Sequence, residues 1–163
     1  MALSRREKLR NWLIREFSVI SEDNGYRTTP HPVLGYIPWN HAVRGWPTIC
    51  VRVGDEELEW IDDPRAYYDT ICDVLIRGYF SDELSGVDEN IYAADSAGEP
   101  LLHDMKRIFA EIVTKNLAES TNTWVISNSS TPKARAPTPF SVNQGYVELQ
   151  FRVRMRVQDS TFE

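Results

Sequence analysis

The stretch YVELQFRVRMRV, residues 146–157, decides the fold. Val147, Leu149, Phe151, Val153, Met155 and Val157 point one way; Tyr146, Glu148, Gln150, Arg152, Arg154 and Arg156 point the other. A period of two sustained over twelve residues is a strand with one buried face and one polar face. The polar face ends in three arginines at alternate positions, Arg152, Arg154 and Arg156. Aligned guanidinium groups repel one another, so they stand either in open water or against an acidic partner. Three readings follow. The row is a solvated face whose charges block edge aggregation, a contact with an acidic neighbouring subunit, or a nucleic-acid contact. A net charge of −6 and the lack of interleaved aromatics weigh against the third.

Outward from this strand, 163 residues make one domain, 1–163, long enough for one real core. The first element is a helix over 4–22. Ser4 with Glu7 forms a capping box, Leu9, Leu13, Phe17 and Ile20 recur at helical spacing, and Asn24-Gly25 ends the run. Residues 27–37 are extended, an edge strand or an arm, because Pro30 and Pro32 lack ladder donors. Trp39 and Trp46 in the loop 38–47 are either a docking surface or a lid on the core. Thr48–Val53 is a strand, Gly54-Asp55 fits a tight hairpin turn, and residues 56–61 return as its partner. Residues 66–80 fit either a helix or a strand; Gly78 weighs against the helix, and a strand over 69–80 is preferred, in part on the family resemblance given below. An acidic loop with Asp82 and Glu83 spans 81–99, and a second helix with a broad apolar face spans 99–118; Ser96 with Glu99 could cap it, but Pro100 suits that start poorly and favours Gly98 as the cap. A strand starts at 123–126. Residues 127–145, with Lys133 and Arg135, have no apolar period and are either a flexible hairpin tip or an arm that orders on a partner. The fold class is therefore α+β: a mainly antiparallel sheet flanked by two helices, with a long C-terminal β-hairpin and mobile arms near 81–98 and 127–145.

Catalytic chemistry has little support, and the expectation is a protein that is not an enzyme and holds no cofactor. His31, His41 and His103 fall in no metal-ligand spacing, and the two cysteines, Cys50 and Cys72, cannot build a structural zinc site. Both sit in apolar runs, which points to buried free thiols and a reduced, intracellular origin. No phosphate-binding glycine loop or nucleophile elbow occurs. The acids of 82–99 do not match a calcium-binding loop. No apolar run is long enough to span a bilayer. The arginine-rich N-terminus reads as a plain helix rather than a targeting peptide, since Glu7 and Glu16 break the acid-poor pattern. Basic residues concentrate near both ends and acids in 55–63 and 82–99, a segregation suited to head-to-tail packing of identical copies.

The order of helix, Asn24-Gly25-Tyr26, proline-bearing arm, Trp46-Pro47-Thr48-Ile49-Cys50-Val51, acidic hairpin, strand ending Arg77-Gly78-Tyr79-Phe80, helix and long C-terminal hairpin resembles the tail terminator, or tail completion, proteins of long-tailed bacteriophages. The resemblance covers nearly the whole chain. It implies a structural virion protein, assembled in the host bacterial cytoplasm, that forms a hexameric ring on the head-proximal end of the tail tube. Such a ring stops tube polymerisation and gives the head–tail connector a docking surface, with DNA only passing through its lumen. The implied partners are further copies of the chain, the tail tube protein and the neck protein, and in a contractile tail also sheath subunits; no membrane is involved. Family knowledge assigns no positions. By inference from the residues, the contact surfaces are Arg152, Arg154 and Arg156, the arm with Lys133 and Arg135, the Trp39/Trp46 loop, and Asp82 with Glu83. The alternatives are another neck protein such as a stopper, a small metal- or ligand-binding α+β domain, and a nucleic-acid-binding module.

Overall fold

The computed structural model describes residues 4–43, 45–60, 67–81, 90–118, 124–126, 131–141 and 143–158. The fold is α+β. A mixed, mostly antiparallel sheet of six strands comprises β1 (Val33–Leu34), β2 (Thr48–Trp60), β3 (Tyr67–Ser81), β4 (Trp124–Ile126), β5 (Lys133–Pro139) and β6 (Gln144–Gln158), with helices α1 (Arg5–Phe17) and α2 (Asn90–Ala118). The strand order is β1–β2–β3–β6–β4, and β5 also pairs with β6. β3 holds one edge of β6 along its whole length, so β4 and β5 share the other edge. Among the described residues only the short β1–β2 pair is parallel.

The alternation of β6 sorts the sheet into two faces as the periodicity predicts. Val147, Leu149, Phe151 and Val153 are buried, opposite Gly78, Ile76, Val74 and Cys72 of β3. Ile49 and Val51 of β2 extend this inner face. Across it α2 lays Leu101, Leu102, Met105, Ile108 and Ile112, with the Phe109 ring 4.9 Å from that of Phe151. The helix passes so close to Gly78 that a Cβ there would stand 2.8 Å from both Leu101 and Met105. Residues 67–81 are thus a strand, and Gly78 serves the crossing of α2. α1 adds Leu9, Leu13 and Phe17 to the same core. Its predicted capping box is formed: Ser4 Oγ accepts from the Glu7 N–H, and Glu7 accepts from the Ser4 N–H at 2.8 Å. Cys50 and Cys72 are buried free thiols, and burial pushes both up to about 12.

Several local expectations are corrected. α1 ends at Phe17 rather than 22. The Ser18 hydroxyl donates to the Ile14 carbonyl, the next N–H groups reach back only three residues, and a 3-10 turn, Glu22–Asn24, closes on Gly25 at φ 81°. Gly54-Asp55 is not a hairpin turn. β2 runs through it, and the register shifts from Val53↔Val74 to Glu56↔Cys72, so two residues oppose one, a β-bulge. The partner of β2 is β3. The helix expected from 99 begins at Asn90 and passes through Gly98 and Pro100. Gly98 is not a cap: a Cβ there would meet Phe80 at 2.7 Å and Pro137 at 2.8 Å, so the glycine lets the helix lie on that ring. Within the aperiodic stretch 127–145, Lys133–Pro139 is a strand, because pairing to β6 replaces the missing apolar pattern. Of the extended segment 27–37, only Val33–Leu34 is strand.

α2 also anchors that segment. Asp104, almost fully buried, accepts from the Arg27 and Thr28 N–H groups and from the Thr28 hydroxyl at 2.6 Å. Arg107 donates to the Gly25 carbonyl and lies 4.2 Å over the Tyr26 ring. The arm that carries Tyr36 and Trp39 therefore starts from a rigid base. Among the described residues, no helix is long and apolar enough to cross a membrane.

Candidate interaction surface

The outer face of the sheet carries the polar half of the same alternation. Residues paired across antiparallel strands point to the same side. The register therefore lines up Arg135 of β5, Glu148 of β6 and Arg77 of β3 in one row, and Arg152 with Asp73 in another.

In the first row Glu148 is 3% exposed. Its Oε1 accepts from Arg77 Nε at 2.7 Å, with Arg77 Nη2 at 2.5 Å. Its Oε2 accepts from Gln150 at 3.3 Å and stands 3.7 Å from Arg135 Nε. One carboxylate thus holds two guanidinium groups in a place where an unpaired charge would be strongly disfavoured. The Arg77 guanidinium lies 4.6 Å over the Tyr146 ring and donates to Tyr79 Oη, which donates in turn to the Pro38 carbonyl. Tyr79 packs edge-on against Trp46, with centroids 6.5 Å apart, and against Phe140 at 6.1 Å. This arginine-and-aromatic cluster ties the loop before β2 and the turn between β5 and β6 onto the sheet.

In the second row Arg152 bridges three strands. Its Nη2 is 2.8 Å from Glu57 of β2 and its Nε donates to Asp73 of β3 at 3.0 Å. The Glu57 hydrogen bond, then the Coulomb attraction of Glu57 and Asp73, holds this guanidinium more firmly protonated than usual.

The residues singled out from sequence therefore separate. Lys133 and Arg152 share a depression of about 430 Å³ on the outer face. Arg135 is exposed on β5 but linked to Glu148 and to Tyr146, to which it donates at 3.1 Å. Arg154 is half-buried opposite Ile71. Arg156 is opposite Asp69 in the register, and its side chain lies outside the described residues, as do Asp82 and Glu83. The two tryptophans divide the alternatives: Trp46 is half-buried in the aromatic cluster, whereas Trp39 is 79% exposed.

A second region was not legible as a site. Between the arm and the sheet runs an open groove of about 790 Å³, where Arg10 of α1, Arg52 of β2 and Arg77 of β3 meet Tyr36 and Trp39. These arginines lie 42 and 25 residues apart, so no local spacing signals their convergence. The one available hint was parity, since Thr48, Cys50 and Arg52 alternate with the apolar residues of β2. Among the described residues, no three His, Cys, Asp or Glu side chains gather to hold a metal. No family model matches this chain, and comparison with curated proteins finds no significant match.

Proposed function

We propose that this chain is a structural virion protein that forms a ring on the head-proximal end of a phage tail tube, stops tube polymerisation and gives the neck a docking surface. The observation that carries the reading is the two-sided sheet. One face is closed by both helices into a single core, while the other face and its arm present charged and aromatic side chains. That division suits a protein that works by contact. The resemblance supports it through element order: helix, arm, two long strands, helix, then β4, β5 and β6. The long C-terminal hairpin belongs to the same reading, with β5 and β6 antiparallel and β4 continuing along the same edge of β6. In this reading the ring is a hexamer, its faces meet the tube and the neck protein, and DNA passes through the lumen.

Particle mass in solution, measured across concentration and salt with negative-stain images of the same samples, tests it. Closed rings of a few identical copies, on their own or on added tail tubes, are expected. A chain that stays monomeric and leaves tail-tube ends uncapped overturns the reading.

A further inference from the structure

The inner face of the sheet ends in a small opening beside α2. Opposite the buried Leu149 of β6, β5 presents only Ala134, which fills little of the space next to the helix. The result is a pocket of about 180 Å³ lined by Phe109 of α2, Pro132, Ala134 of β5, and Leu149 and Phe151 of β6. Phe109 is only half-buried although its ring lies 4.9 Å from that of Phe151, so part of an aromatic wall stands open. A cavity of about 150 Å³ accommodates a benzene ring, so there is room here for one phenyl group. Two cations frame the opening. Lys106 sits one turn before Phe109 on the same face of α2, and Lys133 starts β5. Both are exposed, and neither forms an ion pair among the described residues, in a protein of net charge −6. An apolar floor between two ammonium groups suits an aromatic side chain flanked by carboxylates.

The chain carries such a group. Beyond β6 the sequence continues Asp-Ser-Thr-Phe-Glu, residues 159–163, which lie outside the described residues and set Phe162 between Asp159 and Glu163. This segment cannot enter the pocket of its own copy. β6 is one continuous strand, and Gln158 at its end stands roughly 26 Å beyond Gln150 at the pocket. From Gln158 to Phe162 the chain spans at most roughly 14 Å.

We propose that the pocket framed by Lys106 and Lys133 receives Phe162 of a second copy of this chain, with Asp159 and Glu163 against the two lysines. Pocket and tail are different patches, so the contact runs head-to-tail when each tail enters a new neighbour, and it closes wherever the rotation allows. It is one subunit contact of the proposed ring and rests on that reading for closure alone.

The test uses the full chain with the photo-crosslinking residue p-benzoylphenylalanine in place of Phe162, mixed with an isotope-labelled copy so that links between copies are told apart by mass. Links from position 162 to residues 106–109 or 132–134 of the other copy are expected. Combining Lys106→Glu with Lys133→Glu should lower their yield at least about tenfold through like-charge repulsion, and placing Asp159→Lys and Glu163→Lys on the crosslinking copy should restore it. Links within one copy, links that map elsewhere, no link between copies at the highest soluble concentration, or a yield indifferent to the charge reversal overturns the proposal. So does a thermal midpoint raised by benzoate without any loss of links, which assigns the pocket to a small aromatic acid. Particle mass on the same samples separates the two claims. Closed rings with links elsewhere remove this contact and keep the ring; links at the pocket in particles that end at a dimer keep the contact and remove the ring.

Discussion

Arg152 and Arg52 lie on the same outer face of one sheet, yet their surroundings differ. Arg152 is clamped between Glu57 and Asp73, and the neighbouring Glu148 row is closed by Arg77, Arg135 and Gln150. Arg52 lines the edge of the same depression as Arg152, with Asp55 and Asp73, as well as the open groove, and forms no ion pair among the described residues. The difference teaches that a row of like charges on a strand does not announce a docking surface. Adjacent strands can bring the counter-charges, and the arginine that remains available is one that no row points out.

Breaking the closed region has the largest expected effect. Glu148→Ala leaves Arg77 and Arg135 without their shared carboxylate and should lower unfolding stability by about 2–4 kcal/mol, read from urea denaturation. Adding Arg135→Ala to that variant should recover part of the loss, and strict additivity would show that the two guanidinium groups do not depend on one carboxylate. The two tryptophans come next. Trp46→Ala removes a half-buried ring from the aromatic cluster and should cost about 1–3 kcal/mol, whereas Trp39→Ala should stay within about 0.5 kcal/mol. Equal losses would mean that the arm depends on both rings. Arg152→Glu sets a carboxylate against Glu57 and Asp73. It should lower the thermal midpoint less than Glu148→Ala does, and molar salt should abolish most of the difference, since these groups are solvent-accessible. The smallest effect on folding is expected for Arg52→Glu, whose unfolding curve should overlay that of the parent. A midpoint shift matching that of Arg152→Glu would reveal a partner inside the chain and erase the distinction between the two regions.

Much of the architecture was legible in local patterns. The period of two in β6, the capping box at Ser4 and Glu7, and the apolar positions of α2 from Leu101 onward each arise from interactions a few residues apart, so the sequence displays them directly. The failures share a cause. Gly54-Asp55 reads as a turn because a bulge and a turn use the same residues, and only the pairing of β2 with β3 distinguishes them. Gly98 and Pro100 read as a helix boundary, but the contact of Gly98 with Phe80 and Pro137 carries α2 through them. β5 has no pattern of its own and exists because β6 offers an edge. The same holds for function. The residues alone determined an α+β chain with one apolar and one polar sheet face. Tertiary structure decided which charges are satisfied within the chain and which remain available, because ion pairs such as Arg152–Glu57 and grooves such as that of Arg10 and Arg52 join residues whose separation along the chain bears no relation to their distance in space.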